Sequence, residues 1–321
     1  MERRLFEIVR AEDEGLALGS FLRSRMGLSK KEISQAKFRE NGICVDGRRQ
    51  KVTAVLRAGQ RVDVLLDVGA RTSPQLKSAD KGLQVLYEDQ DVIAVDKPAG
   101  LSVHPAGREG LHGDTLANRL AFYLREKGED CVIRIFGRLD QDTSGVVLAA
   151  KNQTAAARLA RQREAGTLRK TYLAVCEGIP KEREGEISLP LGPDLEDRTR
   201  MRVCPAGRPA RTRYQVLNTL RIEGESMESG AKPCALVRLQ LDTGRMHQIR
   251  VHMASIGCPL LGDPLYGDSG TKGGGQTAPA IGRTALHAAE LVFCQPFTGE
   301  ELRIRAPFPK DIARLLSFVV E

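Results

Sequence analysis

Residues 133–150 read IRIFGRLDQDTSGVVLAA. Ile133-Arg134-Ile135-Phe136 has the composition of a strand, and so does Val146-Val147-Leu148-Ala149-Ala150. Between the two runs, Arg138, Asp140, Asp142, Thr143 and Ser144 crowd a short loop that closes on Gly145. Loops carried on rigid strands are where reacting groups tend to sit. Asp140 follows an arginine by two residues, which makes it a candidate for a carboxylate held charged by a cation. Asp, Thr, Ser and Gly are also ordinary turn residues, so a plain hairpin turn is the competing reading.

The rest of the chain bounds what such a loop could serve. A length of 321 residues suggests one sizeable core plus a small module. The net charge of +8 favours a polyanionic partner. The seven cysteines are scattered, with no CxxC pair and no metal-like Cys/His spacing, so they read as reduced thiols of a cytoplasmic protein. MERRLFEIVRAEDEG carries no apolar stretch of signal-peptide length, and no run approaches the roughly 20 apolar residues of a membrane span.

Residues 1–70 read as a separate unit. Leu18, Phe21, Leu22 and Met26 recur at helical spacing, and Ser29-Lys30-Lys31-Glu32 spells a capping box ahead of Ile33, Ala36 and Phe38. Ile43–Val45, the turn Asp46-Gly47 and the alternation at 62–65 predict strands. Arg23, Arg25, Lys30, Lys31, Lys37, Arg39, Arg48, Arg49 and Lys51 face only Glu32, Glu40 and Asp46, so residues 23–51 carry about +6. Residues 71–82 are polar and read as a linker to a second unit at 83–321. There, a run at 92–95 ends in the turn Lys97-Pro98-Ala99-Gly100. Asp114 can cap a helix bearing Leu116, Leu120, Tyr123 and Leu124. Residues 153–163 are helical in propensity, and 171–175, 236–241 and 302–304 read as strands. Polar breaks near 224–232 and 267–280 predict surface insertions.

The signature GRLDQDTSG at 137–145, with RKTYLAVCEG at 169–178 and TGRMHQIRVHMASIGCPLLGDPLYG at 243–267, resembles the RluA family of RNA pseudouridine synthases. DVIAVDKPAGLSVHP at 91–105 and PARTRYQVL at 209–217 are similar to it as well. One departure is visible, since Gly137 stands where that family usually has His. The resemblance implies an α+β fold with a mixed, largely antiparallel sheet, and an isomerase that needs neither metal nor cofactor. It implies Asp140 as the essential carboxylate and Arg245 as its basic partner. It also implies Arg138 as a wedge filling the place of an extruded nucleotide, and Tyr172 as the ring stacking on the base. If 245–249 were helical, Ile249 would share a face with Arg245 and could wall the uracil pocket. His247, Gln248, Arg250 and His252 form a polar cluster able to orient substrate or Arg245. Lys170 is expected on the RNA backbone. The N-terminal unit resembles the small α/β S-four-type RNA-binding domain, which would put Arg23, Arg25, Lys30, Lys31, Lys37, Arg39 and Arg48 on RNA.

The leading expectation is therefore a monomeric, cytoplasmic RNA pseudouridine synthase. Its expected substrate is large-subunit ribosomal RNA, with transfer RNA as the other candidate. A non-catalytic RNA-binding factor of ribosome assembly on the same scaffold is the first alternative. A carboxylate-dependent hydrolase, with Asp142 as second acid, is another, but it has no use for the basic N-terminal unit.

Overall fold

The computed structural model describes residues 2–67, 81–105, 113–129, 132–222, 232–267 and 281–316. The expected linker and both expected insertions fall almost entirely outside them. The N-terminal part holds β1 (Glu2–Ile8), α1 (Leu18–Ser24), α2 (Lys30–Lys37), β2 (Ile43–Val45), β3 (Arg48–Arg49) and β4 (Arg61–Asp67). The remainder begins with β5 (Gln84–Glu88), β6 (Val92–Lys97), α3 (Leu116–Glu126), β7 (Arg134–Phe136), β8 (Ser144–Ala150), α4 (Gln153–Glu164) and β9 (Arg169–Glu177). It continues with β10 (Glu184–Ser188), β11 (Leu191–Pro193), β12 (Met201–Val203), β13 (Arg211–Ile222) and β14 (Lys232–Leu241). It ends with α5 (Gln248–Ser255), β15 (Leu286–Cys294), β16 (Glu301–Arg305) and α6 (Lys310–Leu316). The fold is α+β.

A 10-stranded sheet runs in the order β10-β13-β14-β9-β15-β8-β6-β5, with β16 beside β15 and β7 beside β8. β8 is buried at all seven positions. Val147 and Ala149 face one apolar cluster with Leu116, Leu120 and Met253, while Val146, Leu148 and Ala150 face another with Ala155 and Leu159 of α4. A strand covered on both faces is apolar without alternation, which is why VVLAA serves here. Each large aliphatic side chain so buried contributes roughly 1.5–3 kcal/mol.

Among the described residues every pairing in this sheet is antiparallel except one. β15 meets β8 in parallel, with His287 opposite Ser144 and Ala288 opposite Gly145. That seam joins two antiparallel halves. Gly145 makes it possible: its φ is +112, and a β-carbon there would stand 2.2 Å from the Ala288 carbonyl oxygen. The glycine that closes the signature loop is thus fixed by a close backbone approach from Ala288, 143 residues further along the chain.

The N-terminal unit forms a four-stranded sheet, β1-β4-β2-β3, over its own cluster of Leu18, Phe21, Leu22, Leu28 and Ile33. Ser29 and Glu32 make the full capping box at α2. This unit docks on α4. Thr154 Oγ1 donates to Glu32 Oε1 (2.5 Å), Arg158 donates to the Met26 carbonyl (2.7 Å), and Arg161 donates to the Gly27 carbonyl. Phe297 packs against the clusters of both units, with the Arg158 guanidinium 4.7 Å above its ring.

Two local expectations need correction. Phe38 is 78% exposed at the C-cap of α2 and adds nothing to the core. The cap of α3 is Thr115, not Asp114, because Asp114 is taken by Arg119 (2.8 and 2.9 Å) and Lys81 (3.0 Å).

Candidate active site

The signature loop is the hairpin connection between β7 and β8, so the turn reading and the catalytic reading describe the same piece of chain. Two buried cations hold it by its carbonyls. The Lys97 ammonium, fully buried at the end of β6, donates to the carbonyls of Pro98, Leu101 and Gln141, each at 2.8 Å. Burial pushes its pKa down to about 8, with Asp142 the largest opposing influence. Arg283 donates to the Asp142 carbonyl at 3.1 Å while its other nitrogens grip Asp311 (2.5 and 3.0 Å). Thr143 N–H closes the turn on the Asp140 carbonyl at 3.1 Å. The Asp140 side chain, 18% exposed, is left at the mouth of the site.

The cation beside Asp140 is Arg250, not Arg245. Arg250 Nη1 lies 3.4 Å from Asp140 Oδ2, and His247 Nε2 lies 3.8 Å from the same oxygen. Arg250 is itself fixed by a two-pronged pair with Asp263, at 2.7 Å for both Nε and Nη2, and lies 5.1 Å over the Tyr266 ring. Burial works against the charge of Arg250, but Asp263 more than offsets this, and its pKa stands above the ordinary arginine value. Arg245 instead donates through Nε to the Pro209 carbonyl at 3.1 Å and makes no ion pair with Asp140. The physical reason is a break in the backbone. His247 has φ 54, in the left-handed region, and α5 starts only at Gln248. Arg245 precedes the helix, so a helical i, i+4 relation to Ile249 does not exist.

Gln248 also departs from its expected substrate role. Its Oε1 accepts from Thr243 Oγ1 (2.9 Å) and Arg245 N–H (3.0 Å), and its Nε2 donates to the Arg211 carbonyl (2.9 Å) and Thr212 Oγ1 (3.1 Å). At 2% exposure it stitches β13 to the turn before α5. His252 is spoken for in the same way, by Thr212 Oγ1 (2.8 Å) and the Leu189 carbonyl (3.0 Å).

The floor of the site is apolar. Tyr172, Ile249 and Leu139 share one buried cluster, and Tyr172 sits on β9 opposite Ala288, beside the parallel seam. Burial, with the Asp140 charge second, pushes the phenol pKa up well beyond the ordinary value. Arg138 is exposed and makes no hydrogen bond or ion pair with the described residues. Lys170 is half-buried and likewise makes none. Its Nζ lies 3.2 Å from where a β-carbon on Gly137 would stand, and Gly137 has φ +80. The backbone at Gly137 thus adopts a conformation that suits glycine, with an ammonium group beside it. Burial, reinforced by Arg163, pushes the Lys170 pKa down to about 8.

The basic residues of the N-terminal unit divide. Arg23, Lys30, Lys31, Lys37 and Arg48 are exposed, and Arg39 is half-buried. Arg25 is engaged within the fold by Asp13 (2.6 Å) and by Glu12, which removes it from the free basic surface. The roles of Asp263, Tyr266, Lys97 and Arg283 were not foreseen. The run GDPLYG at 262–267 was the available signal for the first two.

Residues 91–255 match the model of the RNA pseudouridylate synthase family. A Bacillus subtilis (strain 168) protein, the uncharacterized RNA pseudouridine synthase YhcT, is 37% identical over 98% of this chain and 96% of its own length. The large-subunit ribosomal pseudouridine synthase D of Nitrosomonas europaea is 40% identical over 74% of this chain and 65% of its own. Among solved structures, human RNA pseudouridylate synthase domain containing 1 superposes with a TM-score of 0.55. It is 28% identical and covers 72% of this chain and 86% of its own. A loop-borne aspartate paired with an arginine above an aromatic floor is thus found on a chain of matching sequence and fold, and the chain belongs to the RNA pseudouridine synthase family of isomerases.

Proposed function

We propose that this protein converts specific uridines of large-subunit ribosomal RNA to pseudouridine, with Asp140 as the carboxylate that acts on the nucleotide. The observation that carries the reading is the placement of Asp140. Its carboxylate stands at the mouth of the site beside Arg250, and Tyr172 and Ile249 share a buried floor with Leu139, the residue before it. The reaction breaks the bond from the sugar to N1 of uracil and forms one to C5. The C5 proton leaves and N1 gains one, so the isomerisation is balanced without electrons from outside. A carboxylate, a surface on which the freed base can turn, and a proton acceptor suffice. Tyr172 supplies the surface, since a ring tolerates any orientation of the base. Arg138 is free to enter the gap left by an extruded nucleotide.

The N-terminal unit supports structured RNA as the substrate. Its two short helices and small sheet, with Lys30, Lys31, Lys37 and Arg48 exposed, fit the S-four-type reading. The names of relatives that modify the large ribosomal subunit favour that RNA over transfer RNA. The protein is read as a cytoplasmic monomer. No helix among the described residues is long and apolar enough to cross a membrane. A purely RNA-binding assembly factor would have no need of an intact Asp140–Arg250–Asp263 arrangement.

The test is Asp140→Asn. RNA affinity should hold while pseudouridine formation disappears, and full turnover by the purified variant would refute the assignment. The RNA target is checked separately, by mapping pseudouridine in cells lacking the gene against the parent strain.

A further inference from the structure

Three described non-glycine residues have positive φ: Asn41, Asp46 and His247. Asn41 and Asp46 are of the residue types that enter this region most readily in turns. His247 is different. It stands at the N-cap of α5, yet its side chain makes no capping hydrogen bond. Its left-handed backbone starts α5, where Val251 N–H donates to the His247 carbonyl at 2.9 Å. It also aims the imidazole across the site, with Nδ1 2.9 Å from the Tyr266 hydroxyl and Nε2 3.8 Å from Asp140 Oδ2.

The contact between the Tyr266 hydroxyl and His247 Nδ1 can run in either direction, and the other partner of the hydroxyl bears on the choice. Met201 N–H donates to it at 2.7 Å, so the tyrosine accepts there and has its own proton to give elsewhere. Its other partner is His247 Nδ1. A neutral imidazole that accepts at Nδ1 carries its hydrogen on Nε2. In that tautomer the hydrogen faces Asp140. Both neighbours of the carboxylate, Arg250 Nη1 and His247 Nε2, approach Oδ2, while Oδ1 accepts no hydrogen bond from the described residues.

We propose that His247 is a positioning residue for Asp140: Tyr266 locks its tautomer, and its Nε2–H and Arg250 together anchor Oδ2, so that Oδ1 is the oxygen presented to the nucleotide. The 3.8 Å gap closes to hydrogen-bond length when substrate fills the site, as such contacts do in empty enzymes. The inference rests on Asp140 being the acting carboxylate.

The experiment uses the full chain with three variants. Gln can place an amide N–H near the Nε2 position, whereas Asn reaches only the level of Nδ1 but suits the left-handed backbone better. On the proposal, His247→Gln keeps kcat within a few-fold. His247→Asn and Tyr266→Phe each lower kcat about tenfold or more, the value of a lost hydrogen bond to a charged group, with KM little changed. A role confined to backbone strain gives the reverse order, with Asn better than Gln, and that order overturns the proposal. So does full kcat in Tyr266→Phe. A second readout holds even where a variant folds poorly: the 15N shifts of the His247 ring in the wild-type protein. They should report hydrogen on Nε2, and hydrogen on Nδ1 overturns the lock. Asp140→Asn run alongside separates the two ideas. Full activity there sinks the catalytic assignment, while the tautomer is read independently of turnover.

Discussion

Replacing Arg250 by Met should cost far more than the same change at Arg245, and the size of the difference follows from what each guanidinium leaves behind. The Asp263 carboxylate has no solvent exposure. It accepts Arg250 Nε and Nη2 at 2.7 Å and the backbone N–H groups of Leu265 (2.9 Å) and Tyr266 (3.2 Å). Arg250→Met strips away the charged partner and strands the carboxylate on two amides. Breaking a buried pair from one side costs about 3–5 kcal/mol. Arg245 gives up one hydrogen bond to the Pro209 carbonyl, about 0.5–1.5 kcal/mol. At about 2–4 °C per kcal/mol for a large domain, Arg250→Met should lose about 6–20 °C in Tm and Arg245→Met no more than about 6 °C. Arg250→Lys should fall between, since an ammonium cannot make the two-pronged pair and reach Asp140 as well. Thermal unfolding followed by circular dichroism, with turnover on RNA measured below the transition, reads both effects. Equal Tm losses at 245 and 250, or full turnover in Arg250→Met, would refute the assignment of Arg250 as the partner of Asp140.

Lys170→Met should weaken RNA binding and reduce the slope of log affinity against log salt by about 0.7–0.9, the share of one phosphate. Lys170→Arg should restore the slope, and an unchanged slope in the Met variant excludes a phosphate contact. Gly145→Ala should fail to fold or melt far below the parent, because its β-carbon meets the Ala288 carbonyl oxygen at 2.2 Å with φ at +112. A well-folded Ala variant would mean the parallel seam is wrong. His287, 1% exposed and bonded to Ser144 Oγ at 3.0 Å, has its pKa pushed down to about 4, chiefly by burial and then by Arg283. The unfolded chain therefore binds a proton near pH 6.5 that the folded one refuses until about pH 4. Its contribution is present above pH 6.5 and is lost as pH falls through that window. Chemical denaturation of His287→Asn should show a flatter decline there than the parent protein does.

The signature loop was legible because every part of it obeys a local rule: apolar strands on either side, turn formers between, glycine at the close. The capping box at Ser29 was equally local, and both of its hydrogen bonds form. The arginine partner was not legible, because choosing between Arg245 and Arg250 depends on where α5 begins. That boundary is set by a left-handed histidine, which no periodicity announces. Gln248 looked like a substrate ligand for the same reason that it works as a stitch: its amide offers both donors and an acceptor, and sequence does not say to whom. The parallel seam could not be read either, since Gly145 and Ala288 lie far apart in the chain and a glycine after Thr-Ser already had a sufficient local explanation as a turn.

The latch between α2 and α4 has a consequence for how a site is chosen. Glu32, Met26 and Gly27 are gripped by Thr154, Arg158 and Arg161, and Phe297 is wedged between the two clusters. These contacts set the basic surface at one fixed place relative to α4 in this structure. On the proposed function, the protein works as a gauge. On that reading, an RNA whose docking element and reactive uridine stand at the matching spacing meets both surfaces at once.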